Sequence, residues 1–366
     1  MELKYTEDFR NNDRVRTLVN AIHKETVHAW KIMEICGGQT HAIARFGIEE
    51  MLPSEIKLLH GPGCPVCVTP IRIIDHVLEI AKRPEVIFTS FGDMMRVPGS
   101  ESDLLKTKAA GADIRILYSP SDAIAIASEN PEKEIVFFAV GFETTAPVYL
   151  ATLKEAKRRN LKNFSLLTSL FTVPPAIDMI LRQPDHQVSG FLTAGHVCAV
   201  TGCGAYRTLA AEYNRPMVVT GFEPTDLLYG IYKCVCQLER GIAQVENAYK
   251  RVVSDTGNPE AIQLMEEMTV PVDMEWRGIG VIPASGLSLN KRHEEFDAGK
   301  KFPSKHIPKT ASATDVCIAG DIMKGNKQPS DCVYFGTTCN PEHPSGAPMV
   351  SSEGVCSAYF KKMIIA

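Results

Sequence analysis
Eleven cysteines among 366 residues are the first feature with chemical content. The odd count leaves at least one without a disulfide partner in the chain. In a reducing compartment such a set points to metal binding or redox chemistry rather than to a disulfide framework. Two of them stand in Gly61-Pro62-Gly63-Cys64-Pro65-Val66-Cys67. Thiols at that spacing can close a disulfide, hold half of a metal site, or simply pack. A helix predicted to start just after the pair would lower a thiol pKa. No second C-x-x-C exists to complete a zinc knuckle, so redox or metal exchange leads. A lone thiol, Cys36, precedes Gly37-Gly38 in ICGGQTH. A cysteine ending a strand is as easily a small buried hydrophobe as a ligand. Two glycines and a helix N-terminus, however, make a pocket where backbone N–H groups meet an anion, with His41 on the first turn.

The last four thiols have the spacing Cys317-x14-Cys332-x6-Cys339-x16-Cys356. Four thiolates suit zinc or a [4Fe–4S] cluster. Pro329, Pro341, Pro344, Pro348, Gly336 and Gly346 interrupt this stretch, as in an irregular wrap that folds around its metal. Iron–sulfur is favoured over zinc, and metal over packing. For other residues the plain reading is preferred. Cys234 and Cys236 lie two apart in a predicted helix and face different directions. Cys198 and Cys203 read as ordinary buried thiols. His186, His293, His306 and His343 are assigned to solvent. No G-x-G-x-x-G, Walker A or nucleophile-elbow sequence appears, so nucleotide binding and serine hydrolysis have no support.

The elements that must position these groups are short apolar runs at 32–35, 56–59, 86–89, 114–117, 135–140, 166–170, 188–193 and 217–220, ending in glycine-rich turns. Helical patterns at 71–81, 148–157 and 227–237 fall between some of them, and the first ~28 residues read as an amphipathic helix. This alternation predicts α/β domains with parallel sheets and crossover helices. Helical periodicity fades after Glu275. The expected division is one α/β domain at 29–125, a second at 126–230, and a third domain made of 1–28 with 231–366. The segments LLHGPGCPVCVTP and FLTAGHVCAVTG share a strand, glycine turn, cysteine and helix order, a loose echo of two similar units.

In open α/β sheets ligands bind beyond the carboxyl ends of the strands. Cys36, Cys64 with Cys67, Glu143 in GFETTAP, His196 with Cys198, and Glu223 in GFEPTD all follow predicted strands. Thr40 is the expected N-cap of a helix over 41–51. A site in a cleft between the α/β units follows. Composition bounds the partners: hydrophobic residues make up 45%, charged residues 22%, and the formal net charge is -4. No basic footprint for nucleic acid stands out, and the densest basic patch, Lys154 to Arg159, reads as a solvated helix face. No apolar run reaches the ~18 residues of a membrane span. The polar start MELKYTEDFRNNDR is unlike a secretory signal, so a cytoplasmic location is expected.

The runs MEICGGQTHAIARFGI, LLHGPGCPVCVTP, VGFETTAP, TAGHVCAVTG, VTGFEP, CIAGDIMKG and CVYFGTTCNPEHPSGAPMVSSEGVCSAYF together resemble the HypD family of hydrogenase maturation factors along nearly the whole chain. The resemblance implies two Rossmann-like α/β domains and a loop-rich third domain with a [4Fe–4S] cluster around a cleft. It implies action with the small chaperone HypC as the scaffold on which an Fe(CN)2CO unit of [NiFe]-hydrogenases is assembled. HypE would deliver cyanide that HypF makes from carbamoyl phosphate. By the same resemblance the transiently bound iron falls to Cys36 with His41 nearby, thiol redox chemistry to Cys64 and Cys67, and the cluster to Cys317, Cys332, Cys339 and Cys356. The expected catalytic set is therefore Cys36, His41, Cys64, Cys67, Glu143 and His196, with Gly37 and Gly38 meeting the iron's ligands through their backbone. Where some relatives carry C-x-C-G, this chain has Cys317-Ile318-Ala319-Gly320, so Ala319 offers no thiol. Gln39 stands where a histidine role cannot be carried over. Two other classes compete: a stand-alone [4Fe–4S] dithiol reductase, and a zinc-stapled binding module.

Overall fold
Strands buried on both faces read as continuous apolar runs, and the runs above form such strands. The computed structural model describes residues 10–304 and 317–365. One sheet contains β1 (Trp30–Glu34), β2 (Ile56–His60), β7 (Gly190–Ala194), β8 (Met217–Thr220) and β9 (Val245–Asn247). Its spatial order is β2-β1-β7-β8-β9 and every pairing is parallel. The other sheet contains β3 (Val86–Ser90), β4 (Ile114–Ile116), β5 (Glu134–Gly141), β6 (Phe164–Phe171), β10 (Thr269–Trp276) and β11 (Gly280–Leu289). Its order is β10-β11-β6-β5-β3-β4, parallel except for the β10–β11 hairpin and its edge with β6. Two parallel-dominated sheets in an α/β fold are what the alternation predicted.

The sheets do not follow chain order. The chain leaves the first sheet after β2, builds β3 to β6 of the second, returns for β7 to β9, and finishes the second with β10 and β11. A boundary at 125/126 therefore runs through the second sheet, between β4 and β5. The echoing segments at 58–70 and 191–202 both belong to the first sheet. Periodicity marks a strand but carries no record of its partner, and this is why the interleaving is invisible in the sequence. The stretch after Glu275 is also more regular than expected. β10 and β11 form an antiparallel hairpin there, with exposed and buried positions mixed along β11, so the helical period is lost but regular structure is not.

Helix α1 (Asn12–Glu25) is capped by Asn11, whose side chain accepts from Asp13 and Arg14 N–H, and buries Ile22. It packs beside α4 (Pro224–Glu239) on the first sheet. Between them in sequence come α2 (Gly37–Phe46) and α3 (Gly195–Thr201), which follow β1 and β7. The described residues from Cys317 onward form short turns and α5 (Val355–Ile365), without strands. His293, expected in solvent, is buried on the turn Lys291–Phe296 with Nδ1 3.0 Å from Asn290 Oδ1, because Phe296 carries that turn into the core. His306 lies outside the described residues. Among them, no helix is long and apolar enough to cross a membrane.

Candidate functional site
In the first sheet β1 connects to β2 on one side and β7 to β8 on the other, so the strand order reverses between β1 and β7. Ligand sites of open α/β sheets lie at such reversals. Glu34 pairs with Leu192, and Ile35 N–H donates to Leu192 O at 3.2 Å, so the turns after the two strands lie side by side. Cys36 from one turn meets His196 from the other, its Sγ 3.8 Å from both ring nitrogens. Burial lowers His196 to about 4, so the imidazole is neutral near pH 7. Its ring leans on Phe222, with centroids 5.1 Å apart. Burial and then the charge of Glu353 push the Cys36 thiol up, and Cys36 is only 3% exposed.

Cys36, rather than Thr40, is the N-cap residue here, and the helix begins at Gly37. Thr40 donates its hydroxyl to the buried carboxylate of Glu34 instead. A Cβ on Gly37 would stand 2.5 Å from Glu353 O, and one on Gly38 3.3 Å from the Phe222 ring. Both glycines thus allow other segments to close over the thiol. His41 is half-buried and places Nδ1 3.1 Å from Ser352 O.

The Cys64–Cys67 loop is packed directly on Cys36. A Cβ on Gly63 would lie 2.2 Å from Cys36 Cα, and Gly37 N–H donates to Gly63 O at 3.0 Å. Cys64 caps the short turn Pro65–Val68, its sulfur accepting from Cys67 N–H at 3.2 Å. The two sulfurs are joined as a disulfide, and both residues are buried.

Glu143 follows β5 in the second sheet, where the order reverses between β3 and β5. Oε1 accepts from Val173 N–H at 2.8 Å, whereas Oε2 is buried without a partner. Burial raises this carboxyl to about 7. Its charge reaches Cys198 and the buried hydroxyl of Tyr206. The thiols of Cys198 and Cys203 hydrogen-bond each other, which raises Cys198 and lowers Cys203. Glu223 is drawn instead into a capping box with Asp226 and an ion pair with Arg10 at 2.6 Å. Cys234 and Cys236 are buried in α4. Sequence reasoning missed Glu34, His60, Tyr359 and Glu353. Glu34 had a signal, a carboxylate inside an otherwise apolar strand.

The four C-terminal thiols come together. Cys317, Cys332, Cys339 and Cys356 line one pocket, walled by Ile322, Phe335, Pro348 and Met349. A Cβ on Gly346 would fall 2.5 Å from Cys317 Sγ, so the glycine leaves that sulfur its place. Ser345 N–H points at Cys339 Sγ at 3.4 Å. Burial raises Cys356 and Cys317, and the neighbouring thiols add to both. Among the described residues, no group of three or more His, Cys, Asp or Glu side chains is arranged to hold a metal ion. Four soft donors on an apolar wall, with an amide aimed at one sulfur, nevertheless fit the thiolate set of an iron–sulfur cluster.

Comparison with known proteins gives a consistent picture. The family profile described as "Hydrogenase formation hypA family", under the heading HypD, matches residues 13–363. The chain is 43% identical to the "Hydrogenase maturation factor HypD" of Escherichia coli K12, over 98% of each chain. It is 44% identical to the protein of the same name from Rhodobacter capsulatus, over 95% of this chain and 92% of the other. It is 43% identical to the "Hydrogenase expression/formation protein HupD" of Azotobacter chroococcum mcd 1, over 98% and 96%.

Proposed function
The chain belongs to the HypD family of hydrogenase maturation factors, and from that premise we propose that it is a cytoplasmic scaffold on which the Fe(CN)2CO unit of [NiFe]-hydrogenases is assembled. One observation carries the reading: a lone buried thiol, Cys36, stands at a strand-order reversal against His196, with the Cys64–Cys67 loop packed on its backbone.

Iron bearing cyanide and carbon monoxide is soft and electron-rich, so a thiolate is its natural protein ligand. The unit is cargo, and a single sulfur from Cys36 leaves room for HypC to contribute another from outside. Iron held between two proteins is released when they separate, which a closed four-ligand cage would prevent. His196, kept neutral by burial, lies against the sulfur without competing for the iron as a cation would. The N–H groups of Gly38 and Gln39 at the start of α2 reach the Cys36 sulfur and would ease the charge that cyanide brings. HypE, with cyanide prepared by HypF, would approach the same cleft. Cys64 and Cys67 interconvert between disulfide and dithiol, taking up or releasing two electrons and two protons. A [4Fe–4S] cluster on Cys317, Cys332, Cys339 and Cys356 would supply electrons near that pair.

The test is infrared spectroscopy on the anoxically co-purified complex with HypC. Cys36→Ala is expected to keep the fold and the visible absorption of the cluster while losing the cyanide and carbonyl bands. Bands at full strength in that variant would mean the iron is held elsewhere. The disulfide itself favours one competitor, a stand-alone dithiol reductase. That reading requires the wild-type complex to show no such bands at all.

A further inference from the structure
Glu34 is fully buried at the end of β1, and three donors converge on it. Cys36 N–H donates to Oε2 at 2.9 Å, while the Thr40 hydroxyl and His60 Nδ1 meet Oε1, the latter at 2.8 Å. Nδ1 of His60 thus faces the Glu34 carboxylate, which leaves Nε2 for a partner on the other side of the ring. That partner is the Tyr359 hydroxyl, 2.6 Å away, and the two rings meet edge to face with centroids 5.0 Å apart. Glu49, whose Oε1 lies 3.9 Å from the same nitrogen, is a second hydrogen-bond partner of the Tyr359 hydroxyl, which therefore ties α5 to both side chains. Tyr359 sits on α5 three residues after Cys356, so one helical turn separates the chain's anchor on Glu34 from a thiol of the four-cysteine pocket. A second contact runs the same way. Glu353 covers Gly37 and Ser352 O meets His41, so the segment leading into α5 forms one wall over Cys36.

We propose that His60 and Tyr359 are positioning residues that make the closure of the Cys36 pocket depend on the anchoring of α5 at Cys356. The proposal deepens the reading above and rests on it at one point, the assignment of the four thiols to a cluster. While Cys356 is ligated, α5 is fixed, Tyr359 holds His60, His60 holds Glu34, and Glu34 holds the Cys36 turn. Without the cluster that helix loses its tether and the wall over Cys36 loosens. A scaffold arranged in this way closes over the iron-binding thiol only once its own cluster is in place.

The measurement is the rate at which Cys36 is alkylated by iodoacetamide under anoxia, read by peptide mass spectrometry. For a buried thiol that rate follows the opening equilibrium. Cys234, fully buried in the first sheet's core, is the internal control for general loosening. Tyr359→Phe keeps the ring and removes only the hydroxyl. It should retain iron and visible absorption, leave Cys234 unchanged, and speed Cys36 by about tenfold, the scale of leaving one buried polar atom without its partner. His60→Gln should do the same, and the double variant should exceed neither single by more than about twofold, as members of one chain do. Cys356→Ala should match them, with Tyr359→Phe adding nothing on top. Unchanged Cys36 labelling in both Tyr359→Phe and His60→Gln overturns the proposal, as does equal acceleration of Cys234. If instead wild type holds no iron–sulfur cluster, Cys356→Ala alone will be silent. The cluster assignment then fails while the Glu34–His60–Tyr359 coupling stands.

Discussion
Glu143 offers a prediction whose size follows from its surroundings. The carboxyl is buried, uses one oxygen on Val173 N–H, and has no partner for the other. Burial raises it from 4.5 to about 7. At 1.36 kcal/mol per pH unit, ionising it within the fold costs about 3 kcal/mol more than in the unfolded chain. The folded state therefore binds this proton more tightly. Its stabilising effect is complete below the unfolded value of 4.5 and is lost as pH rises through about 7. Glu143→Gln keeps the acceptor for Val173 and removes the titration. Urea unfolding of both proteins from pH 5 to 8.5 isolates the effect, since other titrating groups cancel in the difference. The stability of wild type minus that of the variant should fall by roughly 3 kcal/mol over the range and level off above about pH 8. A difference that is flat, or that grows with pH, would falsify the burial argument.

Two further substitutions test close approaches. Gly63→Ala places a methyl group 2.2 Å from Cys36 Cα, where only backbone can yield; we expect a loss of about 1–3 kcal/mol in unfolding stability and weaker iron–cyanide bands with the visible absorption intact. Gly346→Ala intrudes within 2.5 Å of Cys317 Sγ; it should lower iron content while Cys36 stays buried to alkylation more than in Cys356→Ala, and a full iron complement would remove Cys317 from the ligand set.

The sequence carried the strands because apolar runs that end in glycine are a local signal. It carried the thiol motifs because Cys, Gly and Pro at fixed spacing have few local meanings. Pairing was not legible. Nothing in Trp30–Glu34 says that its neighbours are Ile56–His60 and Gly190–Ala194, and so the meeting of Cys36 with His196 across a sequence separation of 160 could not be read. Helix starts failed for a related reason. Thr40 looks like a cap, but a fully buried Glu34 takes its hydroxyl, and Cys36 ends up at the helix start. The strongest local preference gave way to the need to satisfy a buried carboxylate. His60 and Tyr359 were passed over because neither has a chemical neighbour in sequence.

Cys36 poses a problem that the fold itself constrains. On the proposed role, cargo iron would have to reach a thiol that is 3% exposed, so some part of its cover would have to move. Besides His196 on α3, three parts close around it. Phe222 follows β8, and Gly63 follows β2 and is locked against the Cys36 backbone. Displacing either would disturb strands buried in the first sheet. The third is the segment around Glu353, where Ser352 and Glu353 are exposed and held by few bonds. Opening by the route with the least buried area and the fewest hydrogen bonds therefore goes through this segment. It is also the segment that leads into Cys356. On the proposed reading, the thiol that would receive iron and the thiols that would hold the cluster thus share one boundary, and loading at the first would depend on how firmly the second is tied.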